Sequence, residues 1–151
     1  MLTRRTTLAL LASAPLAYTL APGKAKAAEP QVFQNPIAIN GTDPVGYFTD
    51  AKPVAGSSDH KVMWNGAEWH FATAENAATF KADPTAYAPV FGGYCAFAAS
   101  KGYLAPTVPE AWTIHDGKLH LNFSLRAREL WSQDIPGNIA KGLANWPGIL
   151  G

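Results

Sequence analysis

The sequence predicts an α+β domain in which two β-hairpins alternate with short helices. Two strand-turn-strand patterns carry that reading, one folding over Asn65-Gly66 and one over Asp116-Gly117, the dipeptides that best fit a two-residue hairpin loop. Helix-capping residues between and after them supply the α component. Composition agrees: 13 Gly and 12 Pro lie scattered without a period, which favours many turns over a long-helix bundle. With 151 residues, 48% of them hydrophobic, one domain with its own core is expected.

The elements follow in order. Residues 28–38 contain Pro30 and Pro36 and few charges, and read as an extended segment leading into the domain at residues 39–151. Asn40-Gly41-Thr42-Asp43-Pro44 is a turn cluster, and Val45 to Phe48 a short strand or turn. In the first hairpin a two-residue loop sets Trp64 opposite Ala67, Val62 opposite Trp69 and His60 opposite Phe71 on the core face. Lys61 with His70, and Met63 with Glu68, take the outer face. Thr73 is placed to cap a helix over Ala74 to Lys81, and Asp83-Pro84 opens a further turn through Tyr87. Phe91-Gly92-Gly93 breaks the chain before a short alanine-rich helix that carries Cys95 in its first turn and stops at Gly102. The second hairpin pairs Ile114 with Leu119 and Trp112 with Leu121 inward, leaving Thr113, His115, Lys118 and His120 outward. Ser124 caps Leu125 to Gln133, and Pro136 opens a last helix with Ile139, Leu143 and Trp146 on one face.

The first 27 residues form a segment of their own. They hold Arg4, Arg5, Lys24 and Lys26 and no acidic residue, with an apolar run from Leu8 to Leu20 and the small-x-small sequence Ala25-Lys26-Ala27. This is the pattern of a cleaved signal peptide, and Arg4-Arg5 match the twin-arginine type. Pro15 interrupts a run already too short for about 30 Å of hydrocarbon, so no membrane span is expected to remain after cleavage, and the expected location is the bacterial periplasm. Removing the segment takes four of the twelve basic residues and none of the eleven acidic ones, leaving the remainder near −3. A nucleic-acid partner is not expected of such a surface.

Several stretches together resemble the YHS domain family. They are Asn40 to Phe48, Trp64-Asn65-Gly66 through Asn76, Phe80 with Asp83-Pro84 and Tyr87-Ala88-Pro89, Phe91 to Ala96, and the tail Asp134 to Ala140 with Asn145-Trp146-Pro147. The resemblance implies a hairpin-plus-helix unit related to treble-clef metal fingers, found elsewhere beside metal-handling proteins. Metal-associated relatives place cysteines where this chain has Gly46 and Ala72, so the resemblance implies a core without the finger cysteines.

Candidate chemistry is sparse. Cys95 is the single cysteine, which rules out an intramolecular disulfide and leaves one thiol as soft-metal ligand, redox group or buried apolar residue. His70 and Met63 are diagonal neighbours on the outer face of the first hairpin, so imidazole and thioether could meet a copper or zinc ion. His115 and His120 are diagonal neighbours on the second hairpin, expected in solvent. Asp43 is expected to serve its own turn. Neither a catalytic triad, a carboxylate pair nor a phosphate loop stands out, and enzyme activity has no positive support. The expected function is an exported, non-enzymatic module for a transition metal, copper first, with Cys95, His70 and Met63 as ligands. The alternatives are a thiol redox protein using Cys95, or an accessory domain that binds a periplasmic protein partner.

Overall fold

Both hairpins form in the computed structural model, which describes Ala14, Pro15, Ala17 and residues 21–151. Strand β1, Ser57–Trp64, pairs antiparallel with β2, Ala67–Phe71, and β3, Trp112–His115, pairs with β4, Lys118–Leu121, as two separate two-stranded sheets. Both loops take positive φ at each central residue, 49° and 75° at Asn65-Gly66 and 49° and 72° at Asp116-Gly117, the turn that matches strand twist. Among the described residues six α-helices complete the α+β fold: α1 Gly46–Thr49, α2 Ala74–Ala82, α3 Pro84–Tyr87, α4 Ala96–Lys101, α5 Leu125–Ser132 and α6 Ile135–Asn145. Arg4, Arg5 and most of the apolar run to Leu20 lie outside the described residues.

Side chains explain most element boundaries. Thr73, Ser124 and Asp134 accept the backbone N–H groups of Asn76, Ala127 and Gly137 and so cap α2, α5 and α6. Gly102, at φ 90°, closes α4 in the left-handed conformation. Val45 to Phe48 departs from the expected strand or turn and winds into α1. The cause is Asp43, whose Oδ1 accepts the N–H groups of Val45 and Gly46 at 2.9 and 3.3 Å and caps that turn.

The first hairpin keeps the predicted register from Lys61↔His70 to Trp64↔Ala67, but a bulge between Ser57 and Lys61 puts Ser57, not His60, opposite Phe71. Residues 28–38 are irregular as expected, yet docked: Val32, Phe33 and Ala38 are buried, and the Phe33 N–H donates to Gly92 O at 2.9 Å.

Two main apolar clusters meet at β4. Trp69, Phe71 and Phe80 form an aromatic group, with Phe80 5.1 and 5.0 Å from the other two rings, and Tyr47, Leu119 and Leu121 pack into the same cluster. Phe91, Ala96, Ala99 and Trp131 form the second. Because side chains alternate along a strand, Leu119 and Leu121 enter the first cluster while His120 points to the second, 5.0 Å from the Trp131 ring. The solvated outer face predicted for the second hairpin is therefore corrected at His120, which is 2% exposed because the C-terminal helices cover it. Thr113, on the same face, accepts from Arg128 Nε at 3.0 Å. In α6 the expected inward Leu143 is exposed, while Asn138 and Gly142 are buried. A Cβ at Gly142 would lie 2.5 Å from Phe91 Cζ, so the helix approaches through its smallest residue.

Candidate functional site

Met63, Glu68 and His70 share the outer face of the first hairpin, Met63 directly opposite Glu68 and diagonal to His70. Met63 is 68% exposed near the turn end of the sheet. His70 Nε2 lies 2.9 Å from Glu68 Oε2, and Lys61 Nζ lies 3.4 Å from Glu68 Oε1. The His70 hydrogen bond, and after it the Lys61 ammonium, hold the Glu68 carboxyl below its ordinary range, so the acceptor is ionised at neutral pH. A carboxylate accepting from Nε2–H leaves the Nδ1 lone pair as the free donor atom, the arrangement by which carboxylates orient metal-binding imidazoles. Gly56 is needed here: a Cβ on it would lie 2.5 Å from the His70 backbone carbonyl.

Cys95 lies elsewhere, at the start of α4 beside the second cluster. It is 2% exposed and serves as the N-cap of α4. Its Sγ accepts the N–H groups of Ala98 at 3.4 Å and Phe123 at 3.2 Å, and its S–H points to Asn122 Oδ1 at 3.4 Å. Asn122, fully buried, also takes the Phe97 N–H at 3.0 Å. The thiol thus joins α4 to the end of β4, a use that Cys95 alone could not reveal because Asn122 and Phe123 are distant in sequence. The three expected ligands are not brought together: Met63 and His70 share a face, and Cys95 is enclosed among carboxamide, backbone and apolar groups. Among the described residues no group of three or more His, Cys, Asp or Glu is arranged around a common point to hold a metal ion.

Asp43, fully buried, accepts four hydrogen bonds. Beyond the two in α1, its Oδ2 takes the Ala72 N–H at 2.9 Å and Asn76 Nδ2 at 2.8 Å. It ties the turn before α1 to the junction between β2 and α2, so the residue acts as a structural hub rather than an open ligand. The neighbouring Gly46, where the family resemblance implies a cysteine in metal-associated relatives, has no room for a side chain: a Cβ there would lie 2.8 Å from Val54 Cβ. With glycine at that position and Ala72 at the other, the residues present do not fit the finger's metal site.

His120 was the least legible of the polar residues. Its Nδ1 donates to Lys118 O at 3.2 Å, its Nε2 has no hydrogen-bond partner, and burial, reinforced by nearby His115, depresses its pKa from 6.5 to about 4. It is a neutral imidazole at neutral pH. Burial also pushes the Tyr47 phenol far above its usual range, and its O–H donates to Pro109 O at 2.9 Å.

No curated protein and no solved structure matches the chain. A family model described as YHS domain matches residues 45–90, from the capped turn of α1 through the first hairpin, α2 and α3. Met63 and His70 fall inside that stretch, and Cys95 and His120 fall beyond it. The similarity to the YHS domain family thus lies at residues 45–90 of this chain.

Proposed function

We propose that the chain is an exported, non-enzymatic protein that binds a transition metal ion in the periplasm, copper in its cuprous state first, through Met63 Sδ and His70 Nδ1. The observation that supports it is the pairing of an exposed thioether with an imidazole whose other nitrogen is bound to Glu68. Thioether and imidazole donors together favour a soft or borderline ion over magnesium or calcium. Such a two-donor surface site suits a carrier, which must release what it binds. The YHS match over these residues is compatible with metal handling. Cys95, the ligand expected first from the sequence, has less support than Met63 and His70, because binding through it would break the cap of α4. The same enclosure weakens the redox alternative, since sulfenic acid formation needs an accessible thiolate.

Competition for Cu(I) against a colorimetric chelator tests the reading on the purified chain. One equivalent should bind, Met63→Leu and His70→Gln should each weaken it by at least tenfold, roughly 1.4 kcal/mol, and Cys95→Ala should retain it. Retained affinity in both hairpin variants would overturn the site. For export, replacing Arg4 and Arg5 by Lys should trap the precursor inside the cell, and normal periplasmic delivery of that variant would refute the twin-arginine route.

A further inference from the structure

The sequence holds two Asn-Gly pairs, Asn40-Gly41 and Asn65-Gly66, and the fold treats them differently. Asparagine is thermolabile, and it is most reactive before glycine, whose backbone nitrogen has no neighbouring Cβ to keep it from the asparagine Cγ. Both asparagines sit in the left-handed region, at φ 60° and 49°, where that nitrogen is turned away from Cγ. Reaction therefore needs a local opening, and its rate depends on what the opening breaks. At Asn40 it breaks three hydrogen bonds. The carboxamide accepts from Asn35 Nδ2 at 3.1 Å and donates to Thr107 O at 2.8 Å, and the Gly41 N–H donates to Ala38 O at 3.0 Å. Asn65 and Gly66 are exposed at the tip of the first hairpin. Among the described residues the Gly66 N–H has no backbone acceptor, and a Cβ on Gly66 would meet nothing within 4 Å. Exposed loop tips open at little cost.

We propose that Asn65 is a self-modifying site, converting through a cyclic imide to an aspartyl or isoaspartyl residue, while the fold protects Asn40. The Gly66 nitrogen loses its proton and bonds to Asn65 Cγ, the Cγ–Nδ2 bond breaks, and the side-chain amide takes up the proton and leaves as ammonia. Water then adds to one of the two imide carbonyls. Opening at one C–N bond restores the original main chain with a carboxylate side chain, and opening at the other routes the main chain through Cγ, one carbon longer. Water is consumed and ammonia released, with no oxidant or reductant. The longer link no longer closes a two-residue loop. It stands two residues from Met63, so the change reaches the outer face of the hairpin, and the modification itself does not depend on whether that face binds a metal.

Both pairs can be followed in one sample of the purified full chain, kept in mildly alkaline buffer beside a second sample in urea. Aliquots are digested and mapped by mass for the gain of amide-to-carboxyl exchange, and an isoaspartyl methyltransferase labels the longer link. In the folded chain Asn65 should convert at a rate within about tenfold of its rate in urea. Asn40, held by three hydrogen bonds, should convert about a hundredfold more slowly than Asn65. In urea, where only the shared Asn-Gly chemistry remains, the two should agree to within a few-fold. Conversion of Asn40 as fast as Asn65 in the folded chain would sink the proposal. So would an Asn65 rate in the folded chain more than about tenfold below that in urea. Both outcomes are read on the unaltered chain, so no variant has to fold.

Discussion

Acidification should destabilise this protein through His120, and the size of the effect follows from its surroundings. The ring is 2% exposed, 5.0 Å from the Trp131 ring and 6.3 Å from the Phe91 ring, and protonation would place a second N–H at Nε2, which has no acceptor. The folded state therefore holds the imidazole neutral, with its pKa lowered to about 4, while the unfolded chain titrates near 6.5. A folded pKa below the unfolded one means that the unfolded state binds the proton first as pH falls. The contribution is intact above pH 6.5 and is lost progressively down to about pH 4. At 1.36 kcal/mol per pH unit of separation the loss between pH 7 and pH 4.5 is about 2 kcal/mol, equivalent to a fall in the urea midpoint of about 1 M. Trp131 makes fluorescence-monitored urea titration the natural assay. His120→Phe keeps a ring between Phe91 and Trp131 and cannot titrate, so its midpoint should change much less across the same pH range, while carboxylates elsewhere contribute equally to both proteins. Parallel pH profiles for the variant and the unaltered chain would refute the assignment to His120.

Four further substitutions probe other positions of the fold. Asp43→Ala should cost about 3 kcal/mol, seen as a lowered urea midpoint, because four donors lose their acceptor and two of them, the Val45 and Gly46 N–H groups, are buried; a loss below about 1 kcal/mol would remove the hub role. Cys95→Ala should cost about 2 kcal/mol by leaving the Ala98 and Phe123 N–H groups unpaired, and alkylation of Cys95 in the unaltered chain should accelerate only as urea unfolds it. Gly92→Ala should abolish cooperative folding or cost more than about 3 kcal/mol, since its φ is 62° and its Cβ would collide with the Gln31 carbonyl oxygen. Gly66→Ala, at φ 75° but in open space, should cost about 1 kcal/mol by thermal melting.

Local chemistry is what the sequence determined. Asn65-Gly66 and Asp116-Gly117 specify hairpins because the left-handed geometry of the turn is a property of those two residues. Ser124 and Thr73 specify helix starts because a hydroxyl and an N–H three residues on meet whatever the rest of the chain does. The strand pairings of the second hairpin and most of the first followed from loop length, as did the shared face of Met63 and His70. What lies over each face is a long-range matter, decided by the tertiary structure. β4 alternates Leu and His as a half-solvated strand would, and only the packing of Trp131 from α5 against it buries His120 and depresses its pKa. The sequence left Cys95 open between metal ligand, redox thiol and buried apolar residue, and Asn122 and Phe123 enclose it. Gly142, not Leu143, meets the core because α6 approaches Phe91 more closely than a side chain allows. Turn and cap energies are fixed within a few residues, whereas desolvation depends on which distant element arrives, and the groups whose chemistry depends most on desolvation are the ones that only the assembled fold could place.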